Sequence, residues 1–165
     1  MTHCSATFTM MIDRRKYIIV PFFILLSIVS NCRSDDVNYC FESAAESFGV
    51  DPEILQAISY VESRLTPAAL NANTNGTVDY GHMQINSLWV SEIGLTYTLL
   101  DDPCFCTKVG AWILSGCIDK YGYNSNAISC YNSGRPLSKL SGKQKKRTAD
   151  YVRKVEKVFK ILKDK

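Results

Sequence analysis

The stretch Ala57–Asn86, AISYVESRLTPAALNANTNGTVDYGHMQIN, decides how this chain is read. Leu55, Ile58, Glu62 and Leu65 recur at a three-four-three spacing, which puts them on one stripe of a helix. Three of the four are apolar, so the stripe faces inward and carries Glu62 with it. Removal from water penalises the charged form of a carboxylate and raises its pKa. A carboxyl kept protonated near neutral pH is what a general acid requires. The plainer alternative is a boundary glutamate that reaches water or pairs with Arg64, and the helix by itself favours that alternative.

The flanking sequence frames this helix. Asp51-Pro52 supplies a capping acid and a proline at the first helical position, and Pro67 requires an end before it. Asn71–Asp79 (NANTNGTVD) is dense in asparagine, glycine and threonine and reads as a loop or small irregular hairpin turning at Asn75-Gly76. Phe41–Gly49 reads as a short first helix with Ala44, Ala45 and Phe48 inward and Gly49 as its stop. Ser87 is a candidate cap for a helix containing Leu88, Trp89, Val90 and Ile93, closed by Gly94. Asp101-Asp102-Pro103 opens a buried helix over Val109–Gly122. Another helix starts at Asn124 and reaches Tyr131, ending in an Asn132-Ser133-Gly134 turn.

The 165 residues, 46% apolar, predict one domain with a proper core. Residues 1–34 read as a secretory signal rather than as part of the fold. Arg14, Arg15 and Lys16 precede the apolar run Tyr17–Ser30, and cleavage is expected between Asn31 and Ser34. About 14 apolar residues are too few for a comfortable bilayer span, so no stable membrane span is expected after cleavage. Met10 or Met11 would give a more usual start, and a lipid on Cys32 is disfavoured by Asn31 before it.

Export makes disulfides the first reading of the five later cysteines, Cys40, Cys104, Cys106, Cys117 and Cys130. No CxxC pair or histidine cluster supports a metal, and no cofactor motif is present. Cys106 and Cys117, eleven apart, would lie about 16 Å apart in a helix and cannot bridge. Cys117 and Cys130 flank the Tyr121–Asn124 turn and are expected to pair; five is an odd number, so one thiol is spare or pairs with Cys32.

Charge is segregated. Asp35–Gly134 holds three basic residues against twelve acidic, and Arg135–Lys165 holds twelve basic against three acidic. In the basic tail, Tyr151, Val155, Val158 and Leu162, flanked by Val152 and Phe159, form an apolar stripe. The expected organisation is therefore a domain over 35–150 and a docked basic amphipathic helix over 151–165. The basic face is read first as a solvated face, with another molecule's acidic body, an anionic wall polymer or a membrane surface as alternatives. Nucleic acid is not expected of an exported chain without a recognition motif.

Four pieces occur in order: Glu62-Ser63 after an apolar helix, the asparagine-rich loop ending at Asp79 and Gly81, Met-Gln-Ile-Asn at Met83–Asn86, and Tyr-Asn-x-Gly at Tyr131–Gly134. Asp102-Pro103-Cys104 lies between the last two. Together they resemble the lytic transglycosylase family, which shares its core with goose-type and chicken-type lysozymes. The nearest branch is the small transglycosylases that accompany type III and type IV secretion, conjugation and pilus systems. The resemblance covers roughly Tyr39–Tyr151 and implies a mainly α, lysozyme-like α+β domain with a small hairpin over the active-site cleft.

It implies cleavage of the MurNAc–GlcNAc β-1,4 bond of peptidoglycan in the periplasm of a Gram-negative bacterium. Glu62 would protonate the leaving oxygen and then act as base while the muramic acid 6-hydroxyl closes a 1,6-anhydro ring. Asp79 is a candidate second acid, stabilising positive charge at the anomeric carbon. The competing reading makes it a loop-closing residue bonded to backbone amides. Ser63, Gln84, Asn86, Tyr131 and Asn132 are the expected substrate contacts, with Ser63 alternatively holding the loop. Gly81 fits a close backbone approach, Met83 and Ile85 belong to the core, and His82 is taken as partly exposed without a role. Trp89 and Trp112 are read as core, Trp89 alternatively lining the groove. The resemblance also implies a Cys40–Cys104 disulfide. A muramidase using water and a non-catalytic wall-binding component of an assembly machine remain rivals.

Overall fold

The computed structural model describes residues 37–92, 94 and 96–165. The expected signal, Cys32 and Ile93 lie outside the described residues. Among the described residues six α-helices run α1 (Phe41–Phe48), α2 (Pro52–Ser63), α3 (Ser87–Glu92), α4 (Pro103–Tyr121), α5 (Ser125–Ser133) and α6 (Gly142–Lys163). Between α2 and α3 lie three short strands, β1 (Leu70–Ala72), β2 (Val78–Tyr80) and β3 (Ile85–Asn86). The fold is mainly helical with one small antiparallel sheet in the order β1-β2-β3, pairing Asn71 with Asp79 and Asp79 with Asn86.

Local chemistry explains where α2 starts and stops. The Asp51 side chain accepts a hydrogen bond from the Glu53 N–H at 3.1 Å, satisfying a helix donor that has no partner in its own ladder. The helix ends at Ser63, because Arg64 and Leu65 both take left-handed backbone angles, φ 59° and 62°. Spacing alone puts Leu65 on the helical stripe. It lies instead on the turn beyond, where its side chain still packs on the core. Leu55 and Ile58 are fully buried, worth about 1.5–3 kcal/mol apiece.

The core forms where α2 meets α1, α4 and α6, with Ala44, Leu55, Ile58, Met83, Leu114 and Val155 at or near zero exposure. Gly110 of α4 lets Met83 approach: a Cβ there would meet the methionine Cε at 2.5 Å. Asp102 caps α4 by accepting from the Phe105 N–H at 2.7 Å, and Asn124 caps α5 through the Asn126 N–H at 2.8 Å. Disulfides join Cys40 to Cys104 and Cys117 to Cys130, with Cα–Cα distances of 4.9 and 5.7 Å. Cys106 is buried on α4 and makes no disulfide among the described residues.

The amphipathic register read at Tyr151–Leu162 belongs to a longer helix, since α6 is continuous from Gly142. It lies along α2 and α5. At its far end Lys163 meets Asp51 at 2.6 Å, beside the start of α2. Trp112, expected in the core, is 39% exposed and stands edge-on to Trp89 at 5.6 Å between ring centres. No helix among the described residues is long and apolar enough to cross a membrane.

Candidate active site

Glu62 occupies the last turn of α2, so the helix that builds the core also aims this carboxylate into a cleft of about 1250 Å³. Asp79, Gln84, Asn86, Tyr131 and Asn132 line the same cleft. Five of the residues singled out in the sequence therefore share one cavity with Glu62. Protein surrounds the Glu62 carboxyl while one edge stays accessible, and that burial pushes its pKa up to about 7. A hydrogen bond donated by the Tyr151 hydroxyl to Oε1, 2.7 Å, pulls the other way. The negative charge of Asp79 adds to the upward push. The tyrosine itself is buried, which holds its hydroxyl well above the ordinary tyrosine range, so it acts as donor.

Asp79 lies on β2, and the hairpin is organised around it. Its two oxygens accept from Asn73 Nδ2 at 2.8 Å and Asn86 Nδ2 at 2.7 Å. Thr77 Oγ1 accepts from the same two amides. Side-chain amides, not the backbone amides of an Asx-turn, thus hold the carboxylate. Asn86 is occupied in this network: its Oδ1 also accepts from the Leu88 N–H at 3.1 Å. It supports Asp79 while bordering the cleft.

The remaining predicted contacts divide. Tyr131 donates its hydroxyl to the Met83 carbonyl at 2.8 Å, which ties α5 to the segment before β3 and seats the ring beside Glu62. Gln84, with φ 51°, donates to the Gly81 carbonyl at 2.9 Å. Asn132 Oδ1 accepts from Thr148 Oγ1 at 3.4 Å, linking α5 to α6. Ser63 does not line the cleft. Its hydroxyl donates to the His82 carbonyl at 2.9 Å and accepts from the Thr66 N–H at 3.1 Å. Those two bonds tie the end of α2 to the segment after β2 and to the turn at Thr66.

His82 corrects the sequence reading most sharply. It is fully buried rather than partly exposed. Its ring contacts Ser59 Oγ at 2.7 Å, the Pro103 carbonyl at 2.9 Å and Thr107 Oγ1 at 3.1 Å, pinning the segment after β2 between α2 and α4. Burial holds its pKa below the ordinary histidine value. A buried imidazole with partners for both nitrogens meets the requirement that buried polar groups be bonded.

The site also contains residues that the sequence reading missed. Tyr151, an apolar member of the tail stripe by its spacing, carries the hydroxyl that reaches Glu62. The available signal was a phenol in a stripe otherwise filled by Val, Leu and Phe, since a buried tyrosine hydroxyl needs a partner. Lys143, Gln144, Arg147 and Thr148 of α6 form part of the cleft wall. No cluster of His, Cys, Asp or Glu able to hold a metal occurs among the described residues.

A mainly helical body, a small sheet bearing one carboxylate, and a buried glutamate lining the same cleft define a lysozyme-like class. Within that class the chain belongs to the Transglycosylase SLT domain family, which matches residues 39–153. Among curated proteins it is 39% identical over 99 residues to Invasion protein IagB of Salmonella typhimurium strain SL1344, covering 58% of this chain and 62% of that protein. It is 34% identical over 129 residues to Invasion protein IagB of Salmonella typhi, covering 76% of this chain and 78% of that one. Protein IpgF of Shigella flexneri is 33% identical over 134 residues, covering 79% and 83% respectively.

Proposed function

We propose that this protein is a peptidoglycan lytic transglycosylase cleaving the MurNAc–GlcNAc β-1,4 bond. The observation that carries the reading is Glu62, raised to about 7 by burial at the cleft edge and oriented by the Tyr151 hydroxyl. Such a carboxyl is protonated often enough at neutral pH to donate to a leaving glycosidic oxygen, and basic enough afterwards to accept a proton. In the second half-reaction it would take the proton of the muramic acid 6-hydroxyl as that oxygen closes onto the anomeric carbon. The ring closure yields the 1,6-anhydro sugar without water. Asp79, Gln84, Tyr131 and Asn132 would line the bound glycan, with Asn86 supporting Asp79. Family membership supports peptidoglycan as the substrate.

The test is digestion of purified peptidoglycan by wild type and Glu62→Gln, with the released ends identified by mass spectrometry. Wild type is expected to release anhydro-ended fragments, and the variant to lose about a hundred- to ten-thousandfold in rate, the range that one general acid supplies. Reducing ends would instead favour a muramidase using water. The position of Asp79 in the cleft gives that second reading its support, because a second carboxylate in the same cleft suits a hydrolase with two acids. Full turnover by a folded Asp79→Asn variant would remove Asp79 from the chemistry.

The resemblance to transglycosylases of secretion, conjugation and pilus systems, with relatives named invasion proteins, supports a local opening of the wall for such an apparatus. Two disulfides suit an oxidising periplasm and the export signal read in residues 1–34.

A further inference from the structure

We propose that Lys143 and Arg147 form a carboxylate-reading wall of the cleft, selecting glycan strands whose muramic acid carries an anionic 3-O substituent. The inference rests on the reading of the cleft as a peptidoglycan site and names what that site demands of its substrate.

The walls differ in chemistry. The hairpin side presents Asn71, Asn73, Thr74 and Thr77, neutral amides and hydroxyls suited to sugar hydroxyls and acetamido groups. The α6 side presents two cations, Lys143 and Arg147, one turn apart and therefore on the same helix face. Both are exposed, and neither makes a salt bridge with another described residue. A neutral polysaccharide offers them nothing to pair with. The anionic groups of a peptidoglycan strand all hang from the muramic acid 3-oxygen: the carboxylates of the stem peptide, or the lactyl carboxylate where the peptide has been removed.

A second observation is that these cations work against their own helix. The first turn of α6 holds no acid, and Lys143, Lys145, Lys146 and Arg147 crowd the end where the helix dipole is already positive. Like charges four apart on one face also repel. An anion bound across Lys143 and Arg147 would relieve both. The cleft floor, with Glu62 and Asp79, would repel the same anion, so the two signs fix which side of the strand faces α6.

The test compares kcat/KM of wild type and the Lys143→Gln/Arg147→Gln double variant on three substrates. These are native strands, strands with their carboxylates amidated by carbodiimide and ammonia, and amidase-stripped strands that keep only the lactyl carboxylate. Amidation is expected to lower the wild-type value about three- to tenfold, mainly through KM, as two solvent-screened ion pairs allow. The ratio should fall toward one in the double variant and in 1 M salt, where screening extends only about 3 Å. A charge-keeping Lys143→Arg variant should retain the wild-type ratio. Stripped strands cut like native ones show that the freed lactyl carboxylate can take the place of the stem-peptide carboxylates; stripped strands cut like amidated ones restrict the contact to the stem peptide. Equal sensitivity to amidation in wild type and double variant, or none in either, overturns the proposal. Absence of cleavage of native strands by wild type would defeat the transglycosylase reading instead. The carboxylate preference would then be read from co-sedimentation with native and amidated sacculi, where equal binding overturns it.

Discussion

Glu62 changes protonation state close to neutrality, and that fixes the direction of its pH dependence. A carboxyl with an ordinary value of 4.5 would be almost wholly ionised at pH 7, whereas one raised to about 7 is half protonated there. If it is the proton donor, the rate should fall about tenfold per pH unit above that point. The Tyr151 hydroxyl lowers this pKa because its hydrogen bond favours the charged form. Tyr151→Phe removes the donor and keeps the ring, so the alkaline limb of the kcat profile should move to higher pH. A merely structural tyrosine would change thermal stability and leave that limb in place. Tyr151 escaped the sequence reading because hydrophobic periodicity records its ring and is silent about its hydroxyl. The partner lies 89 residues away, beyond any local pattern. His82 failed for the same reason: Ser59, Pro103 and Thr107 come together around it only after α2 and α4 have packed.

At the scale of elements, the hairpin and the segment after it are held from below as well as from within. Gly81 has φ 69°, and a Cβ on it would meet Cys106 Sγ and the Leu100 carbonyl at 2.6 Å each. The sequence suggests a close backbone approach here, and the neighbours are the protein's own: Cys106 of α4 and the Leu100 carbonyl in the turn before it. Gly81→Ala should therefore cost about 2–4 kcal/mol, combining left-handed strain with overpacking. It should also loosen Gln84, which bonds to the Gly81 carbonyl. Urea unfolding measures the first effect, and a rise in KM larger than the fall in kcat would report the second. The helix starts were legible because caps and prolines are local: Asp51-Pro52 and Asp102-Pro103 both open helices. The end of α2 was less so. Pro67 signalled a stop somewhere before it, but the left-handed turn at Arg64-Leu65 is imposed by loop contacts rather than by the identity of those two residues.

At the scale of the molecule, the two disulfides close loops of very different length, with sequence separations of 64 and 13. Constraint of the unfolded chain predicts stabilisation of about 4 kcal/mol for Cys40–Cys104 and about 3 kcal/mol for Cys117–Cys130. Paired Cys→Ser variants, unfolded in urea without reductant, should fall in that order. The first loop spans α1, α2, the sheet and α3, so its loss should also weaken the cleft, whereas the second only staples α4 to α5. That second pairing was readable from the turn it flanks, while the first depended on a resemblance, because nothing in the spacing brings Cys40 to Cys104.

Helix α6 touches α2 at both ends, through Tyr151 at Glu62 and through Lys163 at Asp51. It also supplies the cationic wall of the cleft. Polypeptides are made and exported in order, so the buried glutamate emerges long before the helix that orients it. Until α6 docks, a nascent chain carries the acid without its hydrogen-bond donor, and the cleft lacks one side. The geometry thus ties competence to completion: an interrupted chain would expose a glutamate of ordinary acidity, not a poised one.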